Sequence, residues 1–246
     1  MDGKTQTPQK PQHNKLILRT VSYNIDGPNM TKDKLSLLLY TIDTQKPDIL
    51  CLTNVTETAF NLIHEKVSGR YIAFQVFIEE GESIGTVILC NKDTTAISDE
   101  EQPYYFDYPR GEGRIIGTGV VHLNSKLTFN VLTADIDHER DSSIRSVQLE
   151  TLAKVLADVS DYIIMGDVGD LEVGAQTQLR DAWTKMGCPT KINSEDRLTR
   201  TYYDSRVLVP KSMSLIGTKT IKGSPASSHL GLETIFTINK KLRVKG

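Results

Sequence analysis

The chain has 246 residues, of which 29 are Lys or Arg and 31 are Asp or Glu, giving a formal charge of −2. With 38% hydrophobic and 24% charged residues, it can bury most of its apolar surface in one folded domain without help. The near-neutral balance excludes a histone-like, broadly basic protein. No apolar run reaches the roughly 20 residues of a membrane helix.

In chain order, residues 1–15 are polar, rich in Pro, Gln, Thr and Lys, and lack the apolar centre of a signal peptide. They read as a flexible leader, because they bury too little to offset their ordering entropy. Leu16–Ser22 is β-rich. Thr31 is placed to cap a helix through about Thr44 that carries Leu35, Leu38, Leu39 and Ile42 on one face, with Pro47 as its stop. Asp48–Thr53 reads as a buried strand, and Thr56–Val67 as a helix with Phe60, Ile63 and Val67 on one side. Tyr71–Ile78 and Ile84–Asn91 read as strands across a turn, and Arg114–Leu123 and Lys126–Ala134 as a hairpin. Ser142 or Ser143 opens a helix whose apolar period runs through Ile144, Val147, Leu152, Val155, Leu156 and Val159. Further strands are expected at Asp161–Met165, Tyr202–Val209, Leu215–Ile221 and Leu232–Ile238, and residues 241–246 form a short basic tail.

Hairpins in runs, mixed with helices that follow strands, predict an α/β domain over 16–240: two packed mixed β-sheets flanked by helices. Cys51, Cys90 and Cys188 are odd in number, far apart and in no metal-ligand spacing. Free, partly buried thiols without disulfides fit an intracellular protein, nuclear or cytoplasmic.

In such folds ligands meet the loops at one end of the strands. Polar residues collect at five such places. Asn24 and Asp26 follow the first strand, Asn54 follows ILCLT, Asp135 and Asp137 follow FNVLTA, and Asp167 and Asp170 follow YIIMG; Ser228 and His229 precede the last strand. Singly, each fits a turn, a cap or a structural role. Together they allow one shared site.

The segments SYNIDG (22–27), DILCLTNV (48–55), GTVILCNK (85–92), VLTADID (131–137), IRSVQLETL (144–152), YIIMGDVGD (162–170) and SSHLGL (227–232) stand in an order that resembles the endonuclease/exonuclease/phosphatase superfamily. NIDG, DAWTKMGCP (181–189) and VPKSMSLIG (209–217) are similar to the tyrosyl-DNA phosphodiesterase 2 subfamily within it. The resemblance covers roughly 17–238 and implies a four-layer DNase I-like sandwich with Mg²⁺-dependent phosphodiesterase chemistry. Such chemistry needs cations and donors around a transition state that spreads negative charge over phosphoryl oxygens.

Carried over by position, Asn24 and Asp26 match the first motif, Asp167 the Asp of G-D-x-N, His229 the His of the final pair, and Arg145 an Arg on the helix after the phosphate clamp. The implied catalytic positions retained are thus Asn24, Asp167 and His229, and the implied metal positions are Asp26 and Asp167, with binding weak or absent. Four positions depart from the pattern. Asn54 replaces the metal-binding Glu, Asp135 the phosphate-clamping His, Gly169 the Asn of G-D-x-N, and Ser228 the Asp before the final His; Tyr23 stands for the usual Trp.

A neutral Asn54 removes a carboxylate that a hard ion needs. Asp135 puts an anion where a phosphate is received, and like charges at about 4 Å repel by about 4 kcal/mol at an effective dielectric near 20. Gly169 lacks a donor, and Ser228 leaves His229 without its carboxylate. The expectation is therefore a catalytically inactive relative that binds a protein partner or nucleic-acid ends, with no membrane association and no cofactor. The alternative is an active enzyme, using Mg²⁺ or Mn²⁺ in an acidic site built from Asp26, Asp135, Asp137, Asp167 and Asp170. For nucleic acid, Arg145, Arg114 and Arg206 are the expected phosphate contacts, with Arg110, Arg140, Arg197 and Arg200 nearby in sequence and Tyr104, Tyr105, Tyr202 and Tyr203 for stacking.

Overall fold

A computed structural model describes residues 17–77, 84–97, 104–107, 115–123, 127–136, 142–169, 179–188, 191–192, 195–196 and 199–239. In chain order the elements are β1 (Ile17–Asn24), α1 (Lys32–Gln45), β2 (Ile49–Val55), α2 (Glu57–Val67), β3 (Tyr71–Phe77), β4 (Gly85–Asn91), β5 (Thr95–Ile97), β6 (Tyr104–Asp107), β7 (Ile115–Leu123) and β8 (Leu127–Asp135). They continue with α3 (Ser142–Asp158), β9 (Tyr162–Asp167), β10 (Leu179–Asp181), α4 (Ala182–Lys185), β11 (Lys191–Ile192), β12 (Glu195–Asp196), β13 (Thr199–Asp204), β14 (Leu208–Ile216), β15 (Thr220–Ile221), β16 (Ser224–Pro225) and β17 (Gly231–Ile238).

The strands form two large mixed sheets. The first has the order β14-β17-β1-β2-β4-β3, and the second the order β10-β13-β9-β8-β7-β5, with β6 also on β7. The helices begin where the sequence supplies caps. The Thr31 hydroxyl accepts from Lys34 N–H at 3.3 Å and the Thr56 hydroxyl from Ala59 N–H at 3.2 Å. The buried stripes Leu37, Leu38 and Ile42 of α1, and Ala59, Ile63 and Val67 of α2, pack on Val21, Tyr23, Leu50, Leu52, Val87 and Leu89 of the first sheet. Leu152 and Val155 of α3 pack on Leu132, Ala134 and Ile164 of the second. This gives helix, sheet, sheet and helix layers, the α/β sandwich expected from the sequence. No helix among the described residues is long and apolar enough to cross a membrane.

Successive strand residues face opposite sides, so each central strand sends one set of side chains into the seam between the sheets. Far from the site the seam is apolar: Leu18, Ile49, Ile88, Cys90, Phe129, Val131, Ile163, Tyr203 and Phe236 form one cluster. Alternate positions along the same strands then turn polar in step. On β1, Leu18 is followed by Thr20, Ser22 and Asn24; on β2, Ile49 by Cys51 and Thr53; on β8, Val131 by Thr133 and Asp135. On β9, Ile163 is followed by Met165 and Asp167. β13 runs antiparallel to β9, with Thr199 opposite Asp167, so it places Thr199 at the same end.

Two expected strands are corrected. Tyr202–Val209 is split by a turn, in which the Asp204 carboxylate accepts from Arg206 N–H at 2.9 Å and its carbonyl from Val207 N–H at 3.1 Å. The β-branched run Val207–Val209 hides this Asp-initiated turn. Leu215–Ile221 is divided between the end of the longer β14, which stops at Ile216 because Gly217 has φ +83°, and the short β15 at Thr220–Ile221.

Candidate functional site

Parallel pairing brings the strand ends together. β1 and β2 run parallel with Asn24 opposite Thr53, and β8 and β9 run parallel with Asp135 opposite Asp167. β17 runs antiparallel to β1 with Leu232 opposite Ser22, so His229, just before β17, lies at the same end.

Asn24 joins the two sheets. Its Nδ2 donates to Asp167 Oδ2 at 2.6 Å, and its Oδ1 accepts from Asp26 N–H at 3.1 Å. The other Asp167 oxygen accepts from the Thr199 hydroxyl at 2.5 Å. Asp135 and Asp167 are both buried, at 7% and 2% exposure. Their charge is felt below them at Cys51, whose thiol is pushed up to about 12. Burial is the largest cause and is opposed by a 2.8 Å contact with the Thr133 hydroxyl; the Asp167 and Asp135 carboxylates then add to the rise. Cys51 is therefore an inert spacer rather than a nucleophile.

Asp26 has a left-handed backbone (φ 52°) and begins the single 3₁₀ turn Gly27–Asn29. Its carboxylate accepts from Asn29 Nδ2 at 2.8 Å and pairs with Lys34 Nζ at 3.0 Å, both side chains being largely buried. Asn54 also has a left-handed backbone (φ 56°), at the bulge where the β2–β4 register shifts. Asn tolerates that conformation better than most residues. Its Oδ1 is buried and, among the described residues, has no hydrogen-bond partner. The hydroxyls of Ser22, Thr53 and Thr86 share that condition. An unsatisfied buried polar group costs about 1–3 kcal/mol.

Two glycines are needed for the layout. A Cβ on Gly27 would lie 2.5 Å from the Asn54 carbonyl oxygen, so only Gly lets the 3₁₀ turn sit against the bulge. Gly166, with φ +138°, would put a Cβ 2.1 Å from the Ala134 oxygen, and its freedom lets β8 and β9 carry their two carboxylates side by side. Gly169 is buried, and its carbonyl accepts from the Tyr202 hydroxyl at 3.0 Å.

Ser228 is exposed and His229 half-buried. The His229 N–H donates to Ser227 Oγ at 3.1 Å, and among the described residues its ring has no hydrogen-bond or ionic partner. Tyr23, at the position of the expected Trp, lies over Gly217 and Gly231, where a Cβ would come within 2.2 Å and 2.8 Å of it. Its hydroxyl is buried and has no partner among the described residues, and burial raises its pKa to about 12.

The structure thus gathers Asn24, Asp26, Asn54, Asp135, Asp167, Gly169, Ser228 and His229 at one end of the sandwich. Arg145 stands half-buried in the first turn of α3, whose start follows the Asp135 end of β8. Arg206 is corrected: it pairs with buried Asp204 in the β13–β14 turn, at the opposite end of β13 from Thr199. Arg200 is also no groove residue, being buried and paired with Asp181 at 2.8 Å. Asp181 at the same time caps α4, accepting from Trp183 N–H at 3.0 Å. Tyr202 and Tyr203 are core side chains, Tyr203 packing on Phe236 with ring centroids 5.3 Å apart, and neither is open to a base. Arg114, Asp137 and Asp170, with Arg110, Arg140 and Arg197, lie outside the described residues, as do the side chains of Tyr104 and Tyr105.

Sequence reasoning missed Lys34, Thr53, Thr86 and Thr199. Only Lys34 carried a usable signal, a cation one turn beyond the Thr31 cap and eight residues from Asp26.

No family model matches the sequence, and no curated protein matches it. Solved structures do. D. rerio TDP2 complexed with a single-strand DNA product aligns with a TM-score of 0.76 at 18% identity, over 89% of this chain and 98% of that one. The human Nocturnin catalytic domain with a bound sulfate anion aligns with a TM-score of 0.70 at 15% identity, over 95% and 100%. An endonuclease/exonuclease/phosphatase family protein from Bacteroides thetaiotaomicron aligns with a TM-score of 0.70 at 14% identity, over 92% and 100%. The chain therefore has the DNase I-like fold of the endonuclease/exonuclease/phosphatase proteins.

Proposed function

We propose that this chain is a catalytically inactive relative of the phosphodiesterases whose fold it shares, and that the polar end of its sandwich is a binding surface for a protein or a nucleic-acid end. The observation that carries this reading is the register pair Asp135 and Asp167, two buried carboxylates side by side on the face that looks into the seam. A phosphate entering there meets negative charge where a phosphodiesterase supplies a donor.

The donor set also fits a divalent cation poorly. Mg²⁺ demands near-octahedral oxygens, usually with one or two carboxylates free for it. Here the Lys34 ammonium is bonded to Asp26, Asn24 turns its oxygen to a backbone N–H, and Asn54 offers only a neutral oxygen. His229 lacks an adjacent carboxylate in sequence, Ser228 standing there instead. Support for a nucleic-acid end comes from the DNA product bound to D. rerio TDP2.

The test is hydrolysis of a 5′-phosphotyrosyl oligonucleotide and of bis-p-nitrophenyl phosphate, with Mg²⁺ and with Mn²⁺. The expected result is no turnover above buffer. Turnover abolished by Asp167→Ala would establish the second reading, an active phosphodiesterase with a rearranged acidic metal site, which the same pair of carboxylates favours.

A further inference from the structure

We infer that Lys34 is the resident cation of the polar end: its ammonium takes the place of a divalent ion at Asp26, so that the chain supplies its own counter-charge there. This rests on the inactive reading above and names the residue that keeps a metal from Asp26.

Lys34 is the third residue of α1. That position suits a Glu, and the exposed N–H groups of a first turn disfavour a cation. Thr31 serves the turn itself, its hydroxyl accepting from Lys34 N–H at 3.3 Å. The Lys34 side chain reaches back across eight residues instead, and its Nζ donates to Asp26 Oδ2 at 3.0 Å. A cation at this point breaks a local rule of helix starts, and such breaks mark positions with another duty. The two side chains keep 20% and 16% exposure, so ions from solvent reach the pair without opening the fold.

The pair also sets what lies behind it. The second Asp26 oxygen accepts from Asn29 Nδ2 at 2.8 Å, and the Asp26 N–H donates to Asn24 Oδ1 at 3.1 Å. That bond takes up the Asn24 oxygen and turns its amide N–H to Asp167 Oδ2 at 2.6 Å, while the Thr199 hydroxyl donates to Asp167 Oδ1 at 2.5 Å. All four carboxylate oxygens of Asp26 and Asp167 thus receive a donor from the chain. Neutral donors leave lone pairs that a metal could still use. The ammonium does more, because it brings a full positive charge within hydrogen-bond range. A divalent ion at Asp26 would meet that like charge and would share one carboxylate with it. An ammonium has three rotatable donors and asks for no octahedral shell. Lys34 therefore suits the oxygens present better than a hard ion does.

The experiment follows thermal unfolding and backbone amide signals of the intact chain in EDTA and in millimolar Mn²⁺. The unsubstituted chain is expected to respond to Mn²⁺ in neither. Lys34→Met keeps the side-chain length and removes the charge. Its affinity for Mn²⁺ at Asp26 is expected to rise tenfold or more, read as saturable broadening of the Asp26 and Asn29 amides. Mn²⁺ is also expected to raise its unfolding temperature, recovering part of what the substitution lost, a response that lost packing cannot produce. Lys34→Gln gives the same comparison in a milder variant. Lys34→Arg keeps the cation and is expected to ignore Mn²⁺, and Asp26→Asn added to Lys34→Met is expected to abolish the response. A folded Lys34→Met or Lys34→Gln chain without a Mn²⁺ response would overturn the inference and leave an ordinary structural ion pair. So would an unsubstituted chain that responds as strongly as Lys34→Met. Hydrolysis of the phosphotyrosyl oligonucleotide, assayed on the same samples, separates the two levels. Turnover by the unsubstituted chain overturns the inactive reading, whereas no turnover with unresponsive Lys34 variants overturns the resident cation alone.

Discussion

The two ends of one seam are built from the same strands and do opposite things. At the far end Leu18, Ile49, Phe129, Ile163, Tyr203 and Phe236 close against each other in a single cluster. Two or three alternate positions along the same strands, Asn24, Thr53, Asp135, Asp167 and Thr199 face each other across the seam. The apolar end gains from every buried methylene. The polar end holds two carboxylates and several hydroxyls that have no partner among the described residues. The same strands can carry carboxylates and hydroxyls at one end because apolar burial at the other supplies the stability. At 18% identity to D. rerio TDP2 the superposition still reaches a TM-score of 0.76.

That contrast can be broken most forcefully from the apolar end. Phe236→Ala removes a fully buried ring packed on Tyr203 and is expected to cost about 3–5 kcal/mol in denaturant unfolding. Gly166→Ala, beside Asp167 at the polar end, forces a Cβ against the Ala134 oxygen at positive φ and is expected to cost about 3 kcal/mol. Asn24→Ala cuts the bridge from one sheet to the other and strips a donor from buried Asp167, with an expected loss of about 1–3 kcal/mol.

The smallest effects belong to the unpartnered groups and are the sharpest. Thr53→Val replaces a hydroxyl that has no partner among the described residues with a methyl of the same shape, so stability should stay within about 1 kcal/mol or rise. A loss of more than 2 kcal/mol would show that the hydroxyl has a partner. Tyr23→Phe should likewise be nearly neutral at pH 7. Burial raises the Tyr23 pKa from 10.0 to about 12 in the folded chain. The unfolded state therefore releases the proton first as pH rises. The stability contributed by the neutral hydroxyl is complete below pH 10 and is lost between pH 10 and about 12. In Tyr23→Phe the alkaline decline over that window should be shallower by up to one proton, about 1.4 kcal/mol per pH unit. Tyr71, also raised to about 12, continues to contribute.

Much of this was legible in the sequence because the signals were local. The Thr31 and Thr56 caps, the 3.6-residue stripes of α1 and α2, and the apolar runs of β2, β4 and β9 each speak for themselves. The strand-end Asn and Asp residues were found for the same reason. The rest depends on partners distant in sequence. The Asn24–Asp167 bond spans 143 residues, and only the fold shows that Arg206 belongs to Asp204 at the wrong end. Thr199 and Thr53 look like ordinary strand threonines until the register sets them beside Asp167 and Asn24. Tyr202 and Tyr203 look like a stacking pair until alternation buries one under α3 and the other in the seam.

The central claim is that the polar end of the seam does not bind a divalent cation. Calorimetric titration of the chain with Mn²⁺, alongside its Asp167→Asn variant, tests it most directly. The account predicts the same featureless heat of dilution for both. A saturable signal at sub-millimolar Mn²⁺ that disappears in Asp167→Asn would contradict it.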